Sequence, residues 1–230
     1  MTDAKGDDKL ELTQSIEDYL KAIYKLNGSG RSVSKSEVAV SLKFSAASVT
    51  NMIKKLADMG LVEHKSYRGV KLTAQGEQAA LEIVRHHRLL ETYLREVMGY
   101  SWHEMHEEAE RLEHHISEEF ESKIDEMLGH PTQDPHGHPI PSLNGDIKSP
   151  STRVLVDVDP GKTVTVHHVG DENPEMLAYI EKIGLMPRAQ LTVVEKAPFD
   201  GPITVRIGER DEVIGNRVAS DIFVVSEPGS

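Results

Sequence analysis

Within its first 72 residues the chain carries three helix-forming segments and then two strand-length runs, and few folds accept that order at that spacing. From Leu12 to Leu26, Ile16, Tyr19, Leu20, Ile23 and Tyr24 recur three and four residues apart, the repeat of a helix with one apolar face. Asn27, Gly28, Ser29 and Gly30 end it. Ser34 is placed to cap a short helix, SKSEVAVSL, with Glu37 three residues on to close a capping box. Ser45 caps a third helix whose apolar positions are Val49, Met52, Ile53 and Leu56 and whose stop is Gly60. Leu61 to Lys65 and Gly69 to Leu72 then read as strands around the tip Ser66-Tyr67-Arg68. Three helices followed by a hairpin predict a winged helix-turn-helix.

Thr73 is set to cap a long helix from about Ala74 to Val97, with Gly99 as its stop, and a further helix is expected from about Trp102 to Leu128. Residues 129–151 hold His, Pro, Gly and Asp but little apolar periodicity and read as a linker. Beyond it, Val154–Val158, Lys162–Val166, Gln190–Glu195, Pro202–Ile207 and Phe223–Ser226 look like short strands between Gly and Pro turns, the pattern of a small SH3-like β-barrel. The expected class is therefore mainly α with a small β domain. The boundaries are 1–73 for the winged helix-turn-helix, 74–130 for a helical domain, 131–152 for the linker and 153–230 for the barrel.

The chain has no cysteine, which removes disulfides, thiolate metal sites and cysteine nucleophiles. Its start, MTDAKGDDKLELTQ, lacks the apolar core of a signal peptide, and no apolar run approaches a membrane span, so a cytoplasmic protein without a membrane partner is expected. The formal net charge of −12 is unevenly spread. From Lys43 to Lys71 six basic residues face Asp58 and Glu63, a net of +4, whereas from His103 to Glu126 ten acids face Arg111 and Lys123, a net of −8. The first segment suits phosphate and the second suits a cation.

In a helix-turn-helix the second helix enters the major groove, which here is SAASVTNMIKK. Ser48 and Asn51 have the donors and acceptors to read base edges, while Ala46 and Ala47 are small enough to seat the helix and meet thymine methyls. Ser45, Thr50, Lys54 and Lys55 are better placed for phosphates, as are Lys65, Ser66, Tyr67 and Arg68 on the wing. A solvated basic face, or a helix-turn-helix used as a protein-interaction module, are the alternatives.

The helix from Trp102 carries His106, Glu110, Glu113 and His114 at spacings of four, three and one, which puts them on one face. The helix before it carries His87 and Glu91, four apart. Imidazoles and carboxylates converging between two helices make a divalent-cation site. Enzyme motifs fail by comparison. His103-Glu104 opens like a zinc-protease motif, but position 107 is Glu where that motif needs His. The Glu-x-x-His of di-iron enzymes, a phosphate-binding glycine loop and a nucleophile elbow are all missing. The chain is thus expected not to be an enzyme. A metal-storage protein or di-metal carboxylate enzyme with a structural helix-turn-helix is the rival reading.

Five segments, taken in order, carry a resemblance: SIEDYLKAIYKL, SAASVTNMIKKLADMGLVEH, HHRLLETYL, HEEAERLEHHIS and DPHGHPIP. Over nearly its whole length the chain resembles the diphtheria-toxin-repressor family of iron- and manganese-dependent transcriptional repressors. The resemblance implies a homodimer that binds a palindromic double-stranded DNA operator when loaded with metal. It implies a ferrous-transport-A-like character for the C-terminal domain. It also implies a primary metal site of Asp18, Glu110, Glu113 and His114, and an ancillary site of His87, Glu91 and His106 to which Glu172 and Glu175 of the C-terminal domain contribute. Asp18 and Glu110 stand where iron-type members use sulfur ligands, so the set resembles the manganese type. Where those manganese-type members carry a glutamate, however, this chain has Lys21. Hard oxygen donors with imidazole suit Mn²⁺, and Fe²⁺ nearly as well, while Zn²⁺, Co²⁺, Ni²⁺ or Cd²⁺ are expected to substitute in vitro. Leu89, Leu90, Tyr93, Leu94, Val97, Met98 and Trp102 are the apolar residues expected to build the dimer face, with core packing as the alternative for each.

Overall fold

A computed structural model of the chain describes residues 12–28, 31–65, 69–148, 150–170 and 173–226, and divides them into two compact units, Met1–Val84 and Arg85–Ser230. The wing tip Ser66-Tyr67-Arg68, and Glu172, lie outside the described residues.

In the first unit α1 (Gln14–Asn27), α2 (Lys35–Leu42) and α3 (Ala46–Asp58) precede an antiparallel hairpin of β1 (Val62–Lys65) and β2 (Gly69–Leu72). The capping chemistry expected from the sequence is in place. Ser34 accepts from the Glu37 amide at 3.2 Å while Glu37 accepts from the Ser34 amide at 2.8 Å, and Ser45 accepts from the Ser48 amide at 3.2 Å. Lys43, in the left-handed region at φ 55°, turns the chain between α2 and α3. The buried faces of the three helices (Ile16, Leu20, Val38, Val49, Ile53 and Leu56 among them) meet over Leu61 and Val70 of the hairpin region. Val33 adds an isolated bridge to Val70. This is a winged helix-turn-helix, with α3 in the recognition position.

The helix α4 (Ala74–Glu96) runs on into the second unit, where α5 (Trp102–Leu112) and α6 (Glu118–Met127) follow. Here the structure corrects the expectation of one helix from Trp102 to Leu128. The ladder reaches the Glu113 amide, which donates to Ala109, and then tightens into a three-residue turn in which His115 donates to Leu112. Ser117 opens a new helix by accepting from the Phe120 amide. Glu113 and His114 therefore sit at and just beyond a helix end.

Residues 131–142, expected as part of a linker, are folded against the second unit. A tight turn at residues 134–138 is closed by Asp134 Oδ1, which accepts from the His138 amide at 2.9 Å. Asp134, His136 and Ile140 are buried. Arg85 donates to the Pro141 carbonyl at 2.7 Å and Arg88 to that of Pro139 at 2.5 Å, so two arginines three residues apart on α4 hold the strap down. On its other side the strap meets the β domain: the Val169 amide donates to the His136 carbonyl, and a Cβ added at Gly137 would lie 2.0 Å from the His167 carbonyl oxygen. Gly137 also needs φ +90°. Gly137→Ala is accordingly expected to cost about 1–3 kcal/mol in a urea denaturation series. No measurable loss would show that the strap is not held this closely.

The β domain is one six-stranded antiparallel sheet in the order β3-β8-β4-β5-β6-β7. Its strands are β3 (Arg153–Val154), β4 (Thr163–Val169), β5 (Gln190–Lys196), β6 (Ile203–Ile207), β7 (Arg210–Ile214) and β8 (Ile222–Ser226). β3 and β7 are its hydrogen-bonding edges, so the SH3-like sheet is open where a closed barrel was expected. Three details differ from the sequence reading. The run Val154–Val158 is mostly a 3₁₀ turn, Leu155–Asp157. A helix α7 (Pro174–Ile183) lies between β4 and β5, capped by Asn173 and stopped by left-handed Gly184. Last, β7 adds an edge strand, and a short α8 (Asn216–Ala219) precedes β8. The buried faces of α4 and α5 and those of the β domain merge in one core, from Leu89, Trp102 and Met105 to Leu177, Val193 and Val224. Arg95 of α4 reaches Glu181 of α7 at 2.8 Å. Among the described residues no helix is long and apolar enough to cross a membrane.

The candidate metal centre and the solvent face of α3

His87 and Glu91 lie one turn apart on the buried side of α4, and α5 presents His106 and Glu110 to them. Glu91 is the hub. Its Oε1 is 3.0 Å from His87 Nε2 and 2.8 Å from His106 Nδ1, and its Oε2 is 3.5 Å from His136 Nδ1. On its other nitrogen, His87 faces Glu113: Nδ1 is 2.6 Å from Glu113 Oε2 and 3.8 Å from Glu110 Oε1. His114 Nε2 is 3.3 Å from the second Glu113 oxygen. The helix end after Leu112 thus turns the Glu113 carboxylate inward, against the imidazole that the next turn of α4 would otherwise leave to Glu91 alone. His87, His106 and Glu110 each present a ligand atom within 4.8 Å of the other two.

The electrostatics favour a cation. Glu91 is wholly buried, and burial alone would push its carboxyl up; His87 first, then His136 and His106, hold it well below the usual carboxylate range. Its Oε2 accepts no hydrogen bond. An imidazole with a carboxylate at each nitrogen, like His87, satisfies both only as the doubly protonated ring. With one nitrogen on a metal, the carboxylates share the ion instead. A set of carboxylates and imidazoles of this kind fits Mn²⁺ or Fe²⁺.

His86, next along α4, faces the other way and steadies the helix end. Its Nδ1 is 3.2 Å from the Glu113 carbonyl and its Nε2 is 3.2 Å from Glu121, which also accepts from Arg85. Of the two residues expected from the β domain, Glu175 is exposed in the first turn of α7 and belongs to none of these groups, and Glu172 lies outside the described residues. The residue that sequence reasoning missed is His136. It is fully buried, edge-on to the Trp102 ring at 4.8 Å, and reaches Glu91 only because the strap folds back. Its signal was the His-x-His of DPHGHPIP, within a segment read as linker.

Asp18 and Lys21 lie on α1 in the first unit, Asp18 half-buried and Lys21 buried. On α3, Val49, Ile53 and Leu56 turn into the core, which leaves Ser45, Ala46, Ala47, Ser48, Thr50, Asn51, Lys54 and Lys55 exposed. Ser45 and Ser48 hydroxyls are linked at 2.9 Å, and the Thr50 hydroxyl is turned back onto the Ala46 carbonyl at 2.8 Å. Lys65 ends β1 at the base of the wing. Of the residues expected at a dimer face, Leu89, Leu90, Leu94 and Trp102 are instead buried in the core of their own unit, where α4 packs on α5 and the β domain. Val97 and Met98 are exposed, as are Phe120 and Met127 on α6.

Comparison with known proteins matches three family models in succession. These are the N-terminal DNA-binding domain of iron-dependent repressors over residues 11–70, their metal-binding and dimerisation domain over 73–142, and the FeoA domain over 153–226. The chain is 30% identical over 228 residues to the iron-dependent repressor IdeR of Mycobacterium tuberculosis (strain ATCC 25618 / H37Rv), covering 93% of this chain and 98% of that protein. Among solved structures, a manganese-dependent transcriptional repressor in complex with manganese is 40% identical, with a TM-score of 0.86 over 92% of this chain and 99% of that one. ScaR with bound Cd²⁺ is 29% identical, with a TM-score of 0.80 over the same shares of the two chains.

Proposed function

Since the chain belongs to the iron-dependent repressor family, we propose that it is a transcriptional repressor that binds its DNA operator as a homodimer when loaded with Mn²⁺ or Fe²⁺. The observation that carries this reading is the buried Glu91–His87–His106–Glu113 cluster in a chain whose first unit is a winged helix-turn-helix. It is a DNA-binding regulator and not an enzyme. The DNA operator places its work in the cytoplasm.

Glu110, Glu113 and His114 are the helical ligands of the primary cation, and the family resemblance supplies Asp18 as the fourth. His87, Glu91 and His106 hold the ancillary cation, with His136 joining them and Glu172 and Glu175 as the β domain's candidates. The buried Lys21 ammonium on α1 opposes a second cation beside Asp18. Mn²⁺ shifts the conformational equilibrium toward the DNA-binding state by as much as it binds that state more tightly. Zn²⁺, Co²⁺, Ni²⁺ and Cd²⁺ occupy the same donors in vitro. At the operator, Ser48 and Asn51 read base edges in the major groove, Ala46 and Ala47 meet thymine methyls, and Ser45, Thr50, Lys54 and Lys55 hold phosphates. Lys65, Ser66, Tyr67 and Arg68 add the wing. A palindromic operator follows from two-fold symmetry, with half-sites about 34–36 Å apart. The exposed Val97, Met98, Phe120 and Met127 supply apolar surface for the dimer.

Genomic duplex fragments captured by metal-stripped protein in roughly physiological salt are expected to enrich one palindrome with Mn²⁺ and none with chelator. Asp18→Ala is expected to lose the Mn²⁺ response while keeping weak, salt-sensitive duplex binding. Equal enrichment with and without metal, or an unchanged Mn²⁺ response in Asp18→Ala, would overturn the reading.

A further inference from the structure

Adjacent residues on a helix point about 100° apart, so His86 and His87 of α4 look in different directions. Both nevertheless reach Glu113. His87 Nδ1 is 2.6 Å from its carboxylate, and His86 Nδ1 is 3.2 Å from its backbone carbonyl. An unbroken helix would offer that carbonyl the amide of residue 117. Because α5 ends at Leu112, with Glu113 as its cap, the carbonyl faces His86 across the gap to α4 instead. A carbonyl only accepts, so Nδ1 of His86 is the donor.

The far side of the His86 ring is fixed as well. Its Nε2 lies 3.2 Å from Glu121 Oε2, and Arg85 Nε donates to Glu121 Oε1. Arg85 is anchored in turn by Asp125 of α6 at 3.1 Å and by the Pro141 carbonyl at 2.7 Å. Arg85, His86, Glu113 and Glu121 are all buried. A ring bonded at both nitrogens cannot turn over without giving up both bonds, since a flip would present carbon to each acceptor. Glu113 needs such an anchor. At a helix end the ladder holds the backbone from one side only, and a carboxylate borne there can swing with its turn.

We propose that His86, oriented by Glu121, is a positioning residue for the metal ligand Glu113: it fixes the carbonyl while the carboxylate is presented to the cation. The two successive histidines thereby divide the work, His87 as ligand and His86 as the brace behind a ligand. This rests on the assignment of Glu113 as a ligand in the repressor reading above. Partners that orient a ligand set metal affinity without touching the ion.

Two variants of the full-length protein separate hydrogen bonding from shape, with Mn²⁺ affinity measured by equilibrium dialysis after metal stripping. His86→Phe keeps a ring of similar size and removes both donors, whereas His86→Gln gives up the ring and keeps a donating amide. His86→Phe is expected to bind Mn²⁺ roughly 10- to 100-fold more weakly, the usual cost of losing a ligand-orienting partner, and His86→Gln to stay close to the parent. The electron paramagnetic resonance spectrum of bound Mn²⁺ should change in the first variant and not in the second. A role in packing alone predicts the reverse order of the two. Circular dichroism of the metal-free proteins shows whether each is folded at the dialysis temperature. If His86→Phe is not, Glu121→Gln, which still accepts from the ring, should bind Mn²⁺ like the parent, and Glu121→Met should bind it at least tenfold more weakly. Parent-like Mn²⁺ affinity in folded His86→Phe or in Glu121→Met, or weaker binding by His86→Gln than by His86→Phe, would overturn the proposal. Failure of its premise shows separately, as Glu113→Gln that takes up Mn²⁺ like the parent, or as parent protein that takes up Mn²⁺ and retains no operator.

Discussion

Glu91→Gln is expected to weaken Mn²⁺ binding at the helical cluster by roughly 100-fold, at or beyond the upper end of what the loss of a ligand-orienting group costs. The substitution keeps the shape of the side chain and removes only its charge. In the parent, one carboxylate faces His87, His106 and His136. An amide cannot accept from all three and contributes no charge to a cation. The metal-free protein should tolerate the change, because glutamine keeps the shape of glutamate and the groups facing Glu91 are imidazoles, with no permanently charged guanidinium or ammonium among them to be stranded. The metal-bound protein should not tolerate it. A 100-fold loss of affinity removes about 2.7 kcal/mol of ligand-linked stabilisation at saturating metal. The measurement is thermal unfolding with and without Mn²⁺: the parent should gain far more from the metal than Glu91→Gln does. If Mn²⁺ raises the midpoint equally in both, Glu91 is not a ligand.

The second large effect is structural. Trp102→Ala is expected to destabilise the protein by about 3–5 kcal/mol, the range for emptying a buried aromatic site. Trp102 opens α5, is fully buried, and backs the His136 ring. Its indole nitrogen is buried without a hydrogen bond, so Trp102→Phe gives up a smaller ring but also removes an unsatisfied donor. The phenylalanine variant should therefore lie much nearer the parent in a denaturant titration. If the two variants cost the same, the indole is held by something other than packing.

What the sequence made legible follows from how local each signal is. The helices of the first unit were readable because Ser34 and Ser45 announce their starts and the apolar spacing marks their buried faces. His87, Glu91, His106 and Glu110 were readable because helical spacing alone sets them on facing turns. The break at residues 113–117 was hidden because Glu113-His114-His115-Ile116-Ser117 holds no Gly or Pro to mark a stop, although Ser117 carries the same cap signal as Ser101. The helix α7 was overlooked despite Asn173, Pro174 and Gly184, a start and a stop of the usual kind. The strand β7 has mostly exposed, charged residues, as an edge strand often does, and so carries no apolar alternation to detect. His136 was missed for a different reason. The His-x-His is visible, but its approach to Glu91 depends on a strap that folds back, and that fold has no local signature.

The strap has a further consequence, for cooperativity. Its carbonyls are taken by Arg85 and Arg88 on one side and by the Val169 amide on the other, and Gly137 is pressed against the His167 carbonyl of β4. A segment engaged on both flanks cannot act as a flexible tether, and it cannot be released from one neighbour while still docked on the other without stranding buried polar groups. The helices from Arg85 onward and the β sheet are thereby committed to ordering together, as one folding unit rather than two joined in series.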